Sequence, residues 1–419
     1  MPLDTLDSAR AQEILTQLAL GLPPRGAALE LLVGLEDTMA VLRDHYLRGL
    51  LKRGGSTVKV VLGGYGCGKT HLFYALEELG QREGYASSFV ELHFEETPIE
   101  SFGRVYRAVA EGLTLPTGER GLRPALDRFA ERVLSSPGPS ASASARTSAS
   151  PRTARERFVA TESALPPWET YREELWRWVE AASRGGDAEM ESRVIRNLTL
   201  DKGSVFGEAE AFRLLAALTR FVRGGLGLSG LLIFVDETEE RSILERPATL
   251  KAKKAATNLV EIVNKSHDRT FEGCLIFLSF PWTPAQLEEK LRPFPPLLGR
   301  LGQVAPLGAR DRFGVHIMVG PPESDEALFH FLRGVARKVA DVHARLVEGV
   351  PAPLTSDVLA LCERFATSVS PERTRRFVKE LVQILEREQT GGAESETAVE
   401  RHEEPGPPDL GEDDDAGHA

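Results

Sequence analysis

Residues 58–70 read Val58-Lys59-Val60-Val61-Leu62-Gly63-Gly64-Tyr65-Gly66-Cys67-Gly68-Lys69-Thr70, a β-branched apolar run that breaks directly into glycines and closes on Gly-Lys-Thr. The second half satisfies G-x-x-x-x-G-K-[ST] at each fixed position. Glycine takes left-handed dihedrals freely, so such a loop can turn its backbone N–H groups inward as an anion nest. That nest would lie at the positive end of a helix starting near Lys69. Lys69 is then placed for the β- and γ-phosphates of a nucleoside triphosphate, and Thr70 for Mg²⁺. The candidate nucleotide-binding positions are Gly63, Gly64, Tyr65, Gly66, Cys67, Gly68, Lys69, Thr70 and His71. Chance assembly of these residue types is the competing explanation, and the strand before and helix after weigh against it. Cys67 reads either as a redox switch or as a small filler; only the helix dipole is at hand to activate it, which favours the filler.

Downstream, residues 231–237 read LLIFVDE. An apolar strand ending in Asp-Glu is the usual partner of a phosphate loop. Asp236 would hold Mg²⁺ through its water shell, and Glu237 would orient the attacking water. The plainer alternative is a surface turn made soluble by Glu237, Glu239 and Glu240. The adjacent glutamate points to the P-loop division that has an extra strand between the two motif strands. No guanine-reading N-K-x-D is present, so ATP is expected over GTP.

Working outward, strand-like runs fall at 58–62, 88–94, 231–235, 274–280 and 315–319, alternating with helical patterns. Helices are expected at 69–84, 99–112, 125–134, 169–183, 207–223, 248–266, 324–347, 354–366 and 371–388. This alternation predicts an α/β fold with a parallel five-stranded sheet flanked by helices. Four domain-level segments follow. A helical leader spans 1–50, and an ATPase core spans 51–320 with a helical insertion at 97–223. A small helical lid spans 321–388, and an acidic tail 389–419. Within the insertion, residues 135–153 (SSPGPSASASARTSASPRT) offer nothing to bury and read as a flexible linker, as does the tail.

The chain has 419 residues and a formal charge of −11. Residues 390–419 hold ten acidic side chains and one arginine, so they carry −9 and the body about −2. An acidic total therefore does not exclude a basic face. Three cysteines without zinc spacing exclude a disulfide scaffold and suggest a reducing compartment. The opening Met1-Pro2-Leu3-Asp4 does not start a signal peptide, and no uncharged apolar run nears the roughly 18 residues of a membrane span. The expectation is a cytoplasmic protein.

Ser279 falls where related ATPases place a polar residue facing the γ-phosphate, and Arg300 where oligomeric ones project an arginine into a neighbour's site. Arg310 and Arg312 compete with Arg300 for that part. Ser370 and Pro371 look like the start of the last helix, followed by Arg373, Arg375 and Arg376. Cations are disfavoured at a helix amino terminus, so these arginines want an anion: nucleotide phosphate, nucleic acid or the acidic tail. Lys251, Lys253 and Lys254 form a solvated helix face unless other basic groups align with them to contact DNA.

With these residues assembled, the chain resembles the ATP-binding proteins of bacterial BREX-type phage-defence systems, within the AAA+ superfamily. The resemblance rests on Ala19-Leu20-Gly21-Leu22-Pro23-Pro24-Arg25-Gly26 with Leu31-Leu32-Val33-Gly34, on residues 63–72, on Glu96-Thr97-Pro98 with Val105-Tyr106-Arg107, and on Val235-Asp236-Glu237. It covers about residues 10–388 apart from the linker. It implies an AAA+ core with a helical lid, ATP with Mg²⁺, homo-oligomers and a complex acting on DNA beside a helicase or methyltransferase, with no membrane. It further implies Leu32 and Val33 near the adenine and Arg375 as the lid arginine. Two departures stand out: Ser279-Phe280-Pro281-Trp282 replaces a Thr-Gly-Thr-Pro-like pattern, and Leu35 stands where related chains have arginine. A nucleotide-gated assembly switch with little hydrolysis is the alternative reading.

Overall fold

In the computed structural model the described residues are 6–93, 97–136, 151–163, 169–200, 207–237, 244, 246–302, 306–308, 310–347, 353–368 and 372–389. The amino-terminal part contains α1 (Ser8–Ala19), α2 (Ala28–Leu31) and α3 (Glu36–Val41), the last running on into a wide π-type turn over Leu42–Leu50. Next come β1 (Thr57–Leu62), α4 (Lys69–Arg82), β2 (Tyr85–Leu92), α5 (Phe102–Glu111) and β3 (Leu113–Thr114). Helices α6 (Leu122–Ser135), α7 (Pro151–Ser163), α8 (Glu169–Ser183), α9 (Ala188–Leu198) and α10 (Glu208–Arg220) lead to β4 (Gly230–Glu237). Then follow α11 (Leu250–His267), β5 (Cys274–Phe280), α12 (Pro284–Leu291), α13 (Pro295–Leu301) and β6 (His316–Met318). The chain closes with α14 (Asp325–Leu346), α15 (Ser356–Ala366) and α16 (Arg373–Gln389).

The six strands form one sheet in the order β3-β2-β4-β5-β1-β6, parallel except where β3 runs antiparallel to β2. The expected five-stranded count is therefore corrected to six. The extra strand is two residues long, too short for any alternation to show in the sequence, and it covers the β2 edge by pairing Ser88 with Leu113. The β2 strand also begins and ends earlier than expected, at Tyr85 and Leu92.

Both faces of the sheet are buried, which is why its central strands read as unbroken apolar runs. Leu231, Ile233 and Val235 face the core that includes α5, α10 and α11, while Leu232 and Phe234 face α4. On that second side Phe73, Phe234 and Phe277 pack ring to ring, with Phe234 and Phe277 stacked at 5.2 Å. A separate core joins Ile14 and Leu15 of α1 to Leu332, Leu361 and Leu381 of α14, α15 and α16. The leader thus packs its first helix among the carboxy-terminal helices.

Several boundaries moved. Regular turns of α10 stop at Arg220 and give way to a wide turn over Phe221–Gly225, where the expected helix ran through residue 223. Ser135 ends α6, and Pro151 to Thr153 belong to α7, so both ends of the segment expected as a linker at 135–153 are helical; residues 137–150 lie outside the described residues. Unanticipated α12 carries a capping box between Thr283 and Gln286 with Pro284 in the first turn, a signal present in the sequence. Gln389, expected to open the tail, ends α16, and Ser370, Pro371, Glu96 and residues 390–419 lie outside the described residues. No helix among the described residues is long and apolar enough to cross a membrane.

Candidate functional site: a cleft at the carboxyl edge of the sheet

The parallel register brings the carboxyl ends of β1, β4 and β5 to one edge of the sheet, with Val61 opposite Ser279 and Val235 opposite Leu278. Open α/β sheets bind ligands at this edge, where the strand order reverses. Between β1 and α4, Gly66 and Gly68 adopt φ of +72° and +104°, so the loop needs glycine at both. Gly63 is needed for space: a Cβ there would lie 2.2 Å from the Val319 carbonyl oxygen and 2.5 Å from the Cys67 sulfur.

Lys69 opens α4, and its amine donates to the Gly63 and Gly64 carbonyls at 2.8 and 3.0 Å. Both acceptors are neutral, and among the described residues the ammonium charge has no carboxylate partner. Thr70 donates to Asp236 at 3.0 Å, and Ser279, buried at the end of β5, donates to the other Asp236 oxygen at 2.5 Å. Asp236 is itself buried. A hydroxyl and a carboxylate this close form a hard oxygen pair of the kind Mg²⁺ accepts. Ser279 was expected to face the phosphates; its hydroxyl is turned onto Asp236. Glu237 ends β4 through its backbone, and its side chain lies outside the description.

One cleft of about 920 Å³ gathers Leu32, Val33, Tyr65, Gly66, Cys67, Gly68, Lys69, Thr70, His71, Asp236 and Arg375. Gly63 and Gly64 reach it through their bonds to Lys69. The far wall comes from α14 and α16, with Phe331, Val335, Val339 and Val378 giving an apolar half opposite the polar loop. Arg375 pairs with Glu372 at 2.9 Å and lies over the Tyr65 ring at 5.6 Å, bridging the last helix to the glycine loop. Arg300 is elsewhere: exposed on α13, it bonds Asn264 and the Pro296 carbonyl and does not line this cleft. Arg310 and Arg312 are likewise exposed and outside it.

Burial lowers the His71 pKa to about 4, and its Nε2 lies 2.9 Å from the Ala28 carbonyl, so the ring is neutral and donates from that nitrogen. Its part here is to tie α4 to the leader. Burial also pushes the Cys67 thiol up, against the redox reading.

The docking of the leader depends on residues that sequence reasoning left without a part. Arg25 makes two bonds to the buried Glu77, at 2.9 and 2.8 Å, and lies over the Tyr74 ring. Glu78 accepts the backbone N–H groups of Gly26, Ala28 and Leu29, which caps α2. Lys338 of α14 donates to the Glu30 and Leu32 carbonyls at the other end of α2, both at 2.7 Å. The signal was the adjacent Glu77-Glu78 within the otherwise apolar stripe of α4.

Among the described residues no group of three or more His, Cys, Asp or Glu gathers as a metal site. No curated protein matches the chain. A protein-family model described as BREX system ATP-binding protein BrxC/D matches residues 6–165 and 169–402, nearly the whole chain. The match takes in the leader, the glycine loop, both acidic positions and the carbonyl-held Lys69, and the chain belongs to the BREX system ATP-binding protein BrxC/D family.

Proposed function

We propose that the chain is a Mg²⁺-dependent ATPase of the AAA+ type, serving a phage-defence complex that acts on DNA. The observation that carries this reading is the convergence of Lys69, Thr70 and Asp236, from opposite ends of the core, at the mouth of the glycine loop. Lys69 would exchange its two carbonyl partners for β- and γ-phosphate oxygens, with the loop N–H groups taking the remaining charge. Thr70 and Asp236 would hold Mg²⁺, which when bound neutralises charge building on the phosphates. Glu237 would orient the attacking water, Leu32 and Val33 would contact the adenine, and Arg375 would read the phosphates from the helical lid. Ser279, through Asp236, would position the metal ligand. A homo-oligomer would let Arg300 act on a neighbouring site, with a helicase or methyltransferase as further partner in the cytoplasm.

The test is phosphate release from ATP with Mg²⁺ across a protein-concentration series, with and without double-stranded DNA, using Lys69→Ala as the blank. Turnover that rises with both supports a shared-site ATPase acting on DNA. Tight ATP binding without turnover in either condition would overturn hydrolysis in favour of a nucleotide-gated assembly role. Glu237→Gln should keep ATP bound and cut turnover by orders of magnitude.

A further inference from the structure

Away from the cleft, α10 and α11 flank a groove of about 870 Å³. Its floor is apolar, with Phe212, Ala216 and Ala217 between the helices and Leu250 70% exposed at one end. Five cations line it: Arg213 and Arg220 from α10, and Lys253, Lys254 and Lys265 from α11. Each carboxylate in the groove faces a partner, with one Glu100 oxygen left without a hydrogen bond. Glu208 accepts the Phe102 N–H, Glu100 faces Lys251 at 3.6 Å, and Glu261 faces Lys265 at 3.7 Å. Arg213 pairs with Glu210. Among the described residues Arg220, Lys253 and Lys254 have no ion-pair or hydrogen-bond partner for their charged groups. An apolar floor under unpaired cations calls for an extended segment that is strongly acidic and carries a few apolar anchors. Nucleic acid fits it less well, because phosphates gain nothing from the floor and the aromatic ring there is already stacked, Phe212 on Phe102 at 3.8 Å.

We infer that the groove is the docking site for this chain's own acidic tail. Residues 390–419 supply ten carboxylates against one arginine. Their two larger aliphatic residues each sit among acids: Val399 between Glu396 and Glu400, and Leu410 between Asp409 and the run Glu412-Asp413-Asp414-Asp415. Either segment can set one aliphatic side chain on the floor and its carboxylates against Arg220, Lys253 and Lys254. Reach is no obstacle. Thirty residues can span at most about 100 Å, several times the roughly 22 Å radius of gyration of a body this size. Tethering makes the encounter intramolecular, so individually weak exposed pairs suffice. The docked tail neutralises the basic face it covers, and any acidic or nucleic-acid partner of that face must displace it.

Zero-length carbodiimide crosslinking of the full chain, as an equal mixture of ¹⁴N- and ¹⁵N-labelled protein, tests this. Lys253 and Lys254 should link to acids of residues 394–415 within single-isotope chains, well above links to Lys52 or Lys290. The yield should vanish near about 0.5 M salt. Arg220→Glu leaves each of those lysines in place and should lower it about fivefold. Links spread evenly over surface lysines, or a yield unchanged by Arg220→Glu with circular dichroism showing an intact fold, would overturn the assignment. Mixed-isotope links would also overturn it, in favour of a second copy's tail.

Discussion

A lysine in the middle of β1 offers a quantitative test of how this fold is built. Lys59 is 1% exposed, and its amine donates to the Tyr46 hydroxyl and the Gly314 carbonyl, both at 2.6 Å, over the Tyr46 ring. Burial lowers its pKa from 10.5 to about 8, with Asp311 opposing only in part. Below pH 8 the amine is protonated in both folded and unfolded chains, and the full cost of burying the charge is present. Between pH 8 and 10.5 the unfolded chain binds more protons, so stability rises with pH; above 10.5 the term is constant. A shift of this size corresponds to about 3 kcal/mol. Lys59→Met removes the titration while keeping the length of the side chain. Urea unfolding of both proteins from pH 7 to 10.5 should show the wild type gaining about 3 kcal/mol relative to the variant across that window. Taking the difference cancels the tyrosines and other lysines that titrate there. Parallel curves for the two proteins would refute the reasoning, since they would mean that the amine is hydrated or neutralised by Asp311. The lysine matters because it anchors the loop before β6 to the base of β1, whose other end opens into the glycine loop.

Three further outcomes are expected. Gly63→Ala places a methyl 2.2 Å from the Val319 carbonyl oxygen, whereas a Cβ at Gly64 meets nothing within 4 Å; nucleotide-analogue titration should show a loss of tenfold or more for Gly63→Ala, of the size overpacking produces, and almost none for Gly64→Ala. Arg25→Ala leaves the buried Glu77 with Ser87 as its one side-chain partner among the described residues and should cost about 2 kcal/mol in urea unfolding, below the full value for a buried pair because Arg25 is partly exposed; an unchanged midpoint would show that the Arg25–Glu77 pair does not hold the leader in place. Cys67, with its thiol pushed up by burial, should alkylate at neutral pH more slowly than the same thiol in urea, and bound ATP should slow it further; fast alkylation of the folded chain would restore the redox reading.

How much was legible depended on the range of the interaction that holds each part. The motif around Lys69 could be read because its requirements are local: a strand, glycines able to turn, and a helix start within thirteen residues. The buried strands were legible because central parallel strands are apolar on both sides, and β5 has the bounds expected for it. The acidic end of β4 was found for the same reason. β3 was not, since two residues have no period, and neither were the end of α6 at Ser135 and the start of α7 at Pro151. Ser279 was located but its direction was not: whether a strand-end hydroxyl faces a ligand or a neighbour depends on the pairing of β5 with β1 and β4.

The sequence by itself determined the α/β class, the glycine loop between β1 and α4 and the acidic end of β4, because these follow from local dihedral preference and from the composition of buried strands. Only the tertiary structure decided that α1 joins the carboxy-terminal helices, that Arg25 and Glu78 seat the leader on α4, and that Arg375 enters the cleft while Arg300 stays outside it. Such contacts join residues far apart in the chain, Lys338 and Glu30 being 308 positions from one another. Buried charges accept whichever partner the packing brings, and no local pattern names that partner in advance.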